Sequence, residues 1–329
     1  MYSDISVWTA ALFILGGLAA LAWSSDRFVV GASALARNLG VSPFVVGMVI
    51  VGFGTSAPEL LVSTFSGLAG HTNLSLGNAY GSCVFNIAGI LGVAALVRPL
   101  VVKPTIRSLA VPILLGVTAV SSLLLRDGVL SRADAFGLLA AFAVILPVYC
   151  KVDKAGGGEP DDADDVPLST PRAILWTVVG LVVMVGASHL LVWGSVDFAH
   201  ALGVSDLIIG LTIVAVGTSV PELASAIAAA RRNEAELVLG NIVGSNIFNM
   251  LAVVGIAGAI SPSADFSRYV VTRDLPILLA MTALIAVFGR SRAGRRAPGV
   301  VSRGEGAVWT AAFVAYMALT IWQEVFQHG

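Results

Sequence analysis

The sequence predicts an all-α membrane protein of ten transmembrane helices, arranged as two inverted five-helix repeats. Three observations carry that prediction. Of 329 residues 57% are hydrophobic and 12% charged, with a mean hydropathy of +0.90, which leaves too little polar surface for a water-soluble 33.8 kDa domain. Apolar stretches of bilayer-spanning length recur along the whole chain. Finally, the block Val41 to Pro99 aligns without a gap onto Val204 to Pro262 at a constant offset of 163, and 22 of its 59 positions are identical.

In chain order the apolar stretches cover 6–25, with room to extend to 36, then 42–69, 73–97, 106–126 and 132–150. After a polar segment they resume at 173–197, extendable to 201, and continue at 205–230, 236–260, 269–289 and 306–326. The opening stretch lacks a basic segment before it and a convincing small-residue cleavage site, so it reads as a retained first span. The division is therefore 1–150 as a first five-helix repeat, 151–172 as a linker and 173–329 as a second repeat. Two related halves of five spans each must enter the membrane from opposite sides, an inverted repeat of the kind secondary transporters use.

Charge supports the count. Of the 19 Lys and Arg residues, 15 fall in one alternating set of connections and only Arg126, Arg132, Arg268 and Arg273 in the other. Basic residues concentrate on the cytoplasmic side, which puts the linker inside and both termini outside. The Arg290–Arg303 cluster is explained in the same way, and no nucleic-acid partner is expected. The run Glu159 to Asp165 reads as a solvated linker rather than a calcium sensor. Cys83 and Cys150 fit neither a disulfide framework nor a metal spacing and are expected to be packing residues. The four histidines form no ligand cluster, and Gly52-x-Gly54 follows no strand, so it is no dinucleotide loop.

The identities between the repeats concentrate in polar motifs. Gly54-Thr55-Ser56-x-Pro58-Glu59-Leu60 returns as Gly217-Thr218-Ser219-x-Pro221-Glu222-Leu223. Gly77-Asn78, Gly81-Ser82 and Asn86 return as Gly240-Asn241, Gly244-Ser245 and Asn249. A bare carboxylate at a helix centre costs about 2.5–3.5 kcal/mol on insertion scales, so Glu59 and Glu222 together would cost at least about 5 kcal/mol if unpaired. No Lys or Arg lies at membrane depth in either repeat. A bound cation is the obvious counter-charge. Pro58 and Pro221 each remove a backbone donor and clash with the carbonyl four residues earlier, so both helices should break near Gly54-Thr55 and Gly217-Thr218. The freed carbonyls are tolerated at that depth only where they line a cavity.

Two bidentate carboxylates plus the carbonyls of Thr55 and Thr218 supply about six oxygens, within the six to eight that calcium accepts and too irregular for magnesium. Ser56, Ser82, Ser219 and Ser245 add hydroxyls suited to sodium. Ser82 and Asn86 share a helix face at i, i+4, as do Ser245 and Asn249. The glycines Gly77, Gly81, Gly240 and Gly244 read more simply as close helix-packing faces. For Asn86 and Asn249 the simpler alternative is hydrogen bonding between helices, and for Asp26 and Asp197 an ordinary place near span ends rather than on an ion path.

The paired Gly-Thr-Ser-x-Pro-Glu-Leu and Gly-Asn-x-x-Gly-Ser motifs resemble the α-repeats of the cation/calcium exchanger superfamily, most closely its sodium/calcium exchangers. The resemblance spans the ten-helix architecture. It implies an antiporter in which Glu59 and Glu222 bind calcium and help bind sodium. It also implies that the Thr55 and Thr218 backbone and the side chains of Ser56, Ser219, Ser82, Ser245, Asn86 and Asn249 complete the ion sites. Access would alternate as the first and sixth helices slide across the core. Two positions depart from the pattern: Cys83 stands where the second repeat has Asn246, and Asn249 occupies a position that is Asp in some relatives.

The expectation is therefore an inner-membrane sodium/calcium antiporter that expels calcium, works as a monomer and needs no cofactor beyond its transported ions. A proton-driven calcium exchanger of the same fold is the nearest alternative. A calcium-permeable channel would also place carboxylates in a pore. An intramembrane enzyme lacks a nucleophile and base pair.

Overall fold

The computed structural model describes residues 7–155, 168–202, 213, 215–288 and 297–327. Its first helix, α1 (Val7–Leu39), is followed by α2 (Pro43–Thr55) and α3 (Ala57–Leu68), which bend by 44° at Ser56. Then come α4 (Thr72–Val97), α5 (Ile106–Leu124) and α6 (Arg132–Ala155). The second half holds α7 (Thr170–Ala201), the short α8 (Ala215–Gly217), α9 (Val220–Arg231), α10 (Ala235–Ile260), α11 (Val270–Phe288) and α12 (Arg303–Gln327). Among the described residues eight helices are long and apolar enough to cross a membrane, and the bent α2–α3 pair makes a ninth span. The expected span at 205–230 falls partly on residues outside those described.

The repetition in the sequence is matched by repetition of elements. Shifting α3 by 163 residues gives the bounds of α9, and shifting α4 gives those of α10. Even the irregularities recur: α4 widens to an i→i+5 turn at Phe85–Ile90 and α10 at Phe248–Val253, again 163 apart. Such wide turns are frequent at functional sites, and here each carries one of the two asparagines.

Local chemistry explains several ends. Ser42 caps α2, its hydroxyl accepting from Val45 N at 3.2 Å with Pro43 at the first helical position. Both α6 and α12 open on a capping box. Ser131 N donates to Asp134 at 3.0 Å while Asp134 N donates back to Ser131 Oγ at 3.1 Å, and Ser302 N donates to Glu305 at 2.6 Å. Helix α6 runs on through Ala155 and α7 starts at Thr170, so both ends of the polar stretch 151–172 are helical. Arg27 lies within the body of α1, 5.5 Å over the Trp176 ring, and Arg273 lies within α11, so neither is a loop charge.

Helices α4 and α10 form the buried centre, α10 along its entire apolar window. Helices α1 and α7 pack lengthwise on each other through glycines. A methyl group on Gly31 would come within 2.5 Å of Thr177 N, and one on Gly180 within 2.7 Å of the Phe28 backbone. Two connections are tied by the antiparallel strands β1 (Leu100–Val102) and β2 (Gly299–Val301), in the register Leu100 to Val301. Two others meet at a single bridge between Leu130 and Ser263.

Candidate functional site

Each half places its carboxylate in the first turn of the helix that follows a break. The breaks come at Ser56 (φ −83°, ψ 7°), directly after Gly54-Thr55, and at Thr218–Ser219 (Ser219 φ −94°, ψ 13°), directly after Gly217, where the prolines were expected to place them. In the first half Ser56 N still reaches Gly52 O at 3.1 Å, so α2 keeps its last turn before proline ends it. In the second half the Gly217 carbonyl, orphaned by Pro221, accepts the Ser188 hydroxyl of α7 at 3.0 Å.

Glu59 and Glu222 are fully buried, and each is held by a serine from the opposite half. Ser219 Oγ donates to Glu59 Oε1 at 2.6 Å, and Ser56 Oγ donates to Glu222 Oε1 at 3.0 Å. Ser82 Oγ lies 3.4 Å from Glu59 Oε1 and 3.1 Å from Ser219 Oγ, which joins α4 to the same cluster. Thr55 Oγ1 donates to Val51 O at 2.9 Å and sits 3.3 Å from Asn241 Oδ1. Ser245 Oγ is also 3.3 Å from Asn241 Oδ1, and 3.4 Å from Gly52 O.

The remaining candidates are buried near these groups without partners. The wide turn bearing Asn86 packs on α9, the helix of Glu222, and the one bearing Asn249 packs on α3, the helix of Glu59. Seven buried side-chain polar atoms without a hydrogen-bond partner among the described residues belong to this one cluster. They are Oε2 of both glutamates, both amide atoms of Asn86 and of Asn249, and Thr218 Oγ1. Buried polar atoms are normally satisfied, and in a bilayer each unmet group costs several kcal/mol. The donor set is two carboxylates with hydroxyl and amide oxygens, a hard-cation set. Among the described residues no group of three or more His, Cys, Asp or Glu side chains is placed to hold a metal ion, so neutral oxygens would have to complete any shell.

Two residues of the repeated motif prove more important than their sequence reading. Asn78 Nδ2 donates to the backbone carbonyl of Glu59 at 3.1 Å, and Asn241 Nδ2 lies 3.4 Å from that of Glu222. Each also reaches a serine, Ser63 at 3.0 Å and Ser225 at 3.1 Å. Their duplication beside glycine was the available signal. Replacing Asn78 or Asn241 by alanine removes buried hydrogen bonds and is expected to cost about 0.5–1.5 kcal/mol of stability for each. Asn241→Ala should have the larger effect, since its Oδ1 also faces Thr55 and Ser245; equal denaturation midpoints for wild type and both variants would remove this role. Cys83 is buried, its Sγ 3.8 Å from the carbonyl of Asn246, in keeping with packing.

A bundle of apolar helices closing on two buried carboxylates at broken helices defines a membrane ion carrier. The model of the family described as sodium/calcium exchanger protein matches residues 9–150 and 172–322. The putative antiporter CaxA of Alkalimonas amylolytica is 40% identical over 319 residues, covering 94% of this chain and 98% of its own. The sodium/calcium exchanger MaX1 of Methanosarcina acetivorans is 28% identical, covering 94% and 97%. A solved structure of the sodium-calcium exchanger NCX_Mj superposes with a TM-score of 0.81 at 29% identity, over 95% of this chain and 99% of that one. The chain belongs to the sodium/calcium exchanger family, and it is a multi-pass membrane antiporter for calcium and a second cation, a transporter rather than an enzyme.

Proposed function

We propose that this protein exchanges Na+ for Ca2+ across the inner membrane by alternating access and so expels calcium. The observation that carries the reading is the cluster of unpartnered buried oxygens around Glu59 and Glu222, with two negative charges to balance one calcium ion. Glu59, Glu222, the backbone of Thr55 and Thr218, Ser56, Ser219, Ser82, Ser245, Asn86 and Asn249 are the proposed ligands, shared between one calcium and the sodium ions that replace it. A third sodium per cycle would make exchange electrogenic, gaining about 2.3 kcal/mol per net charge per 100 mV.

Ten helices in two inverted five-helix halves, 1–150 and 173–329, with both termini outside, form the proposed topology. What supports it is reciprocity: Ser56 serves Glu222 while Ser219 serves Glu59, and Cys83 meets Asn246, its own counterpart at an offset of 163. The α1–α7 pair is the proposed sliding element, and the protein is proposed to act as a monomer.

Calcium-45 uptake into vesicles preloaded with sodium, potassium or choline tests the function. Uptake is expected only against internal sodium; uptake driven instead by a pH gradient would assign proton coupling, and uptake indifferent to the internal cation would remove antiport altogether. Potassium separates a further case. Asn249 offers oxygen without charge, so the wild type should exchange at the same rate with and without potassium, whereas Asn249→Asp adds a third negative charge that invites one more monovalent cation or a proton. A wild type that stalls without potassium would defeat the charge argument.

A further inference from the structure

A second charged cluster lies within a membrane-spanning segment. Residues Val270–Asp274 at the start of α11 form a wide turn. Adjacent side chains on a regular helix do not face each other, yet Arg273 Nε donates to Asp274 Oδ1 at 2.7 Å and Nη2 to Oδ2 at 3.3 Å. Arg273 Nη1 donates to Gln323 Oε1 at 2.9 Å, and the Tyr316 hydroxyl donates to Asp274 Oδ1 at 3.0 Å. The rings of Tyr269 and Tyr316 lie 5.3 and 5.8 Å from the guanidinium carbon. The two charged side chains are only 11% and 5% exposed.

The cluster lines a cleft of about 620 Å³ whose walls also include Asn78, Ser82 and Thr218. One space thus touches both the ion pair and the candidate ion ligands. Helices α5 and α11 correspond at an offset of 164, so the counterparts of Arg273 and Asp274 are Leu109 and Ala110. The same helix position works with apolar residues in the first half. Since a buried ion pair rarely stabilises more than apolar residues of similar volume, folding does not explain the charges.

We propose that Asp274 sets cation entry into this cleft and that Arg273 holds its charge in check. The inference rests on the antiporter reading and deepens it. A charge lining a narrow, low-dielectric entrance raises or lowers the local cation concentration and hence the rate of encounter. Removing either charge shifts the field of the cleft by one unit, and the two removals shift it in opposite directions.

The test is sodium-dependent calcium-45 uptake as a function of added calcium, in right-side-out and in everted vesicles, at low and high choline chloride. Arg273→Gln, which removes the positive charge, should lower the KM for calcium by about 3- to 10-fold, and Asp274→Asn, which removes the negative one, should raise it by a similar factor. Both shifts belong to vesicles of one sidedness, leave kcat unchanged and fade at high salt. Arg273→Lys, which keeps the charge, should restore the wild-type KM. Shifts of the same sign, shifts from both sides, or an unchanged KM would overturn the proposal, as would failure of both pair variants to fold, which would assign the cluster to structure alone. A wild type without sodium-dependent uptake would instead overturn the antiporter reading.

Discussion

Replacing Glu59 or Glu222 by glutamine is expected to abolish sodium-driven calcium uptake while leaving the protein folded. Each carboxylate spends one oxygen on a serine of the other half and has its second oxygen buried without a partner. Glutamine keeps the length and one acceptor but replaces the second oxygen with a donor, which cannot ligate a cation. It also removes one of the two charges that balance calcium. Losing one partner of a desolvated charge pair costs about 3–5 kcal/mol, which at about 1.4 kcal/mol per decade is a loss of at least about 100-fold in affinity. Folding is spared because a neutral amide is less costly than a carboxylate among apolar helices. The measurement is calcium-45 uptake by purified, monodisperse variants in liposomes. Uptake near the wild-type rate in either variant would refute the assigned site.

The second large effect is structural. Helix α10 lies against the backbone of α2 at Gly240 and Gly244, where a methyl group would stand 2.2 Å from Phe44 O and 2.3 Å from Met48 O. Carbonyl oxygens of a helix cannot rotate aside as a side chain does, so Gly240→Ala or Gly244→Ala must push α10 off α2. Overpacking a tight interior costs about 1–3 kcal/mol and sometimes more. This contact also holds Asn241 and Ser245 near Thr55, so the displacement should lower calcium affinity as well as the thermal midpoint. Gly16 and Gly137 have no neighbour within 4 Å and give the control. A Gly240→Ala protein as heat-stable as Gly137→Ala would contradict the close contact.

Much of this site was legible because the chain states it twice. Duplication singled out Glu59, Glu222 and the serines that hold them, and proline beside each glutamate announced the breaks. The helices end at Thr55 and Gly217, where the steric effect of Pro58 and Pro221 puts the break. Asn78 and Asn241 were visible as repeated residues, but nothing in a sequence says that an amide will bond the carbonyl of a glutamate 19 residues away. The wide turns at Phe85–Ile90 and Phe248–Val253 have no propensity signature in the sequence. The sequence places Arg273 among the connecting charges because its partner is its own neighbour, an arrangement that regular helix geometry argues against.

The glycine seam between α1 and α7 bears on how faithfully such a carrier spends its gradient. Gly17 and Gly31 of α1 press on Leu191 and Thr177, while Gly180 and Gly194, their counterparts 163 residues on, press back on Phe28 and Phe13. Four close contacts, two donated by each helix, couple the pair along its length. In the exchanger proposed here, one helix cannot retreat while the other stays. Coupled motion of the pair would work against a conformer open to both compartments at once, through which calcium would leak back uncompensated.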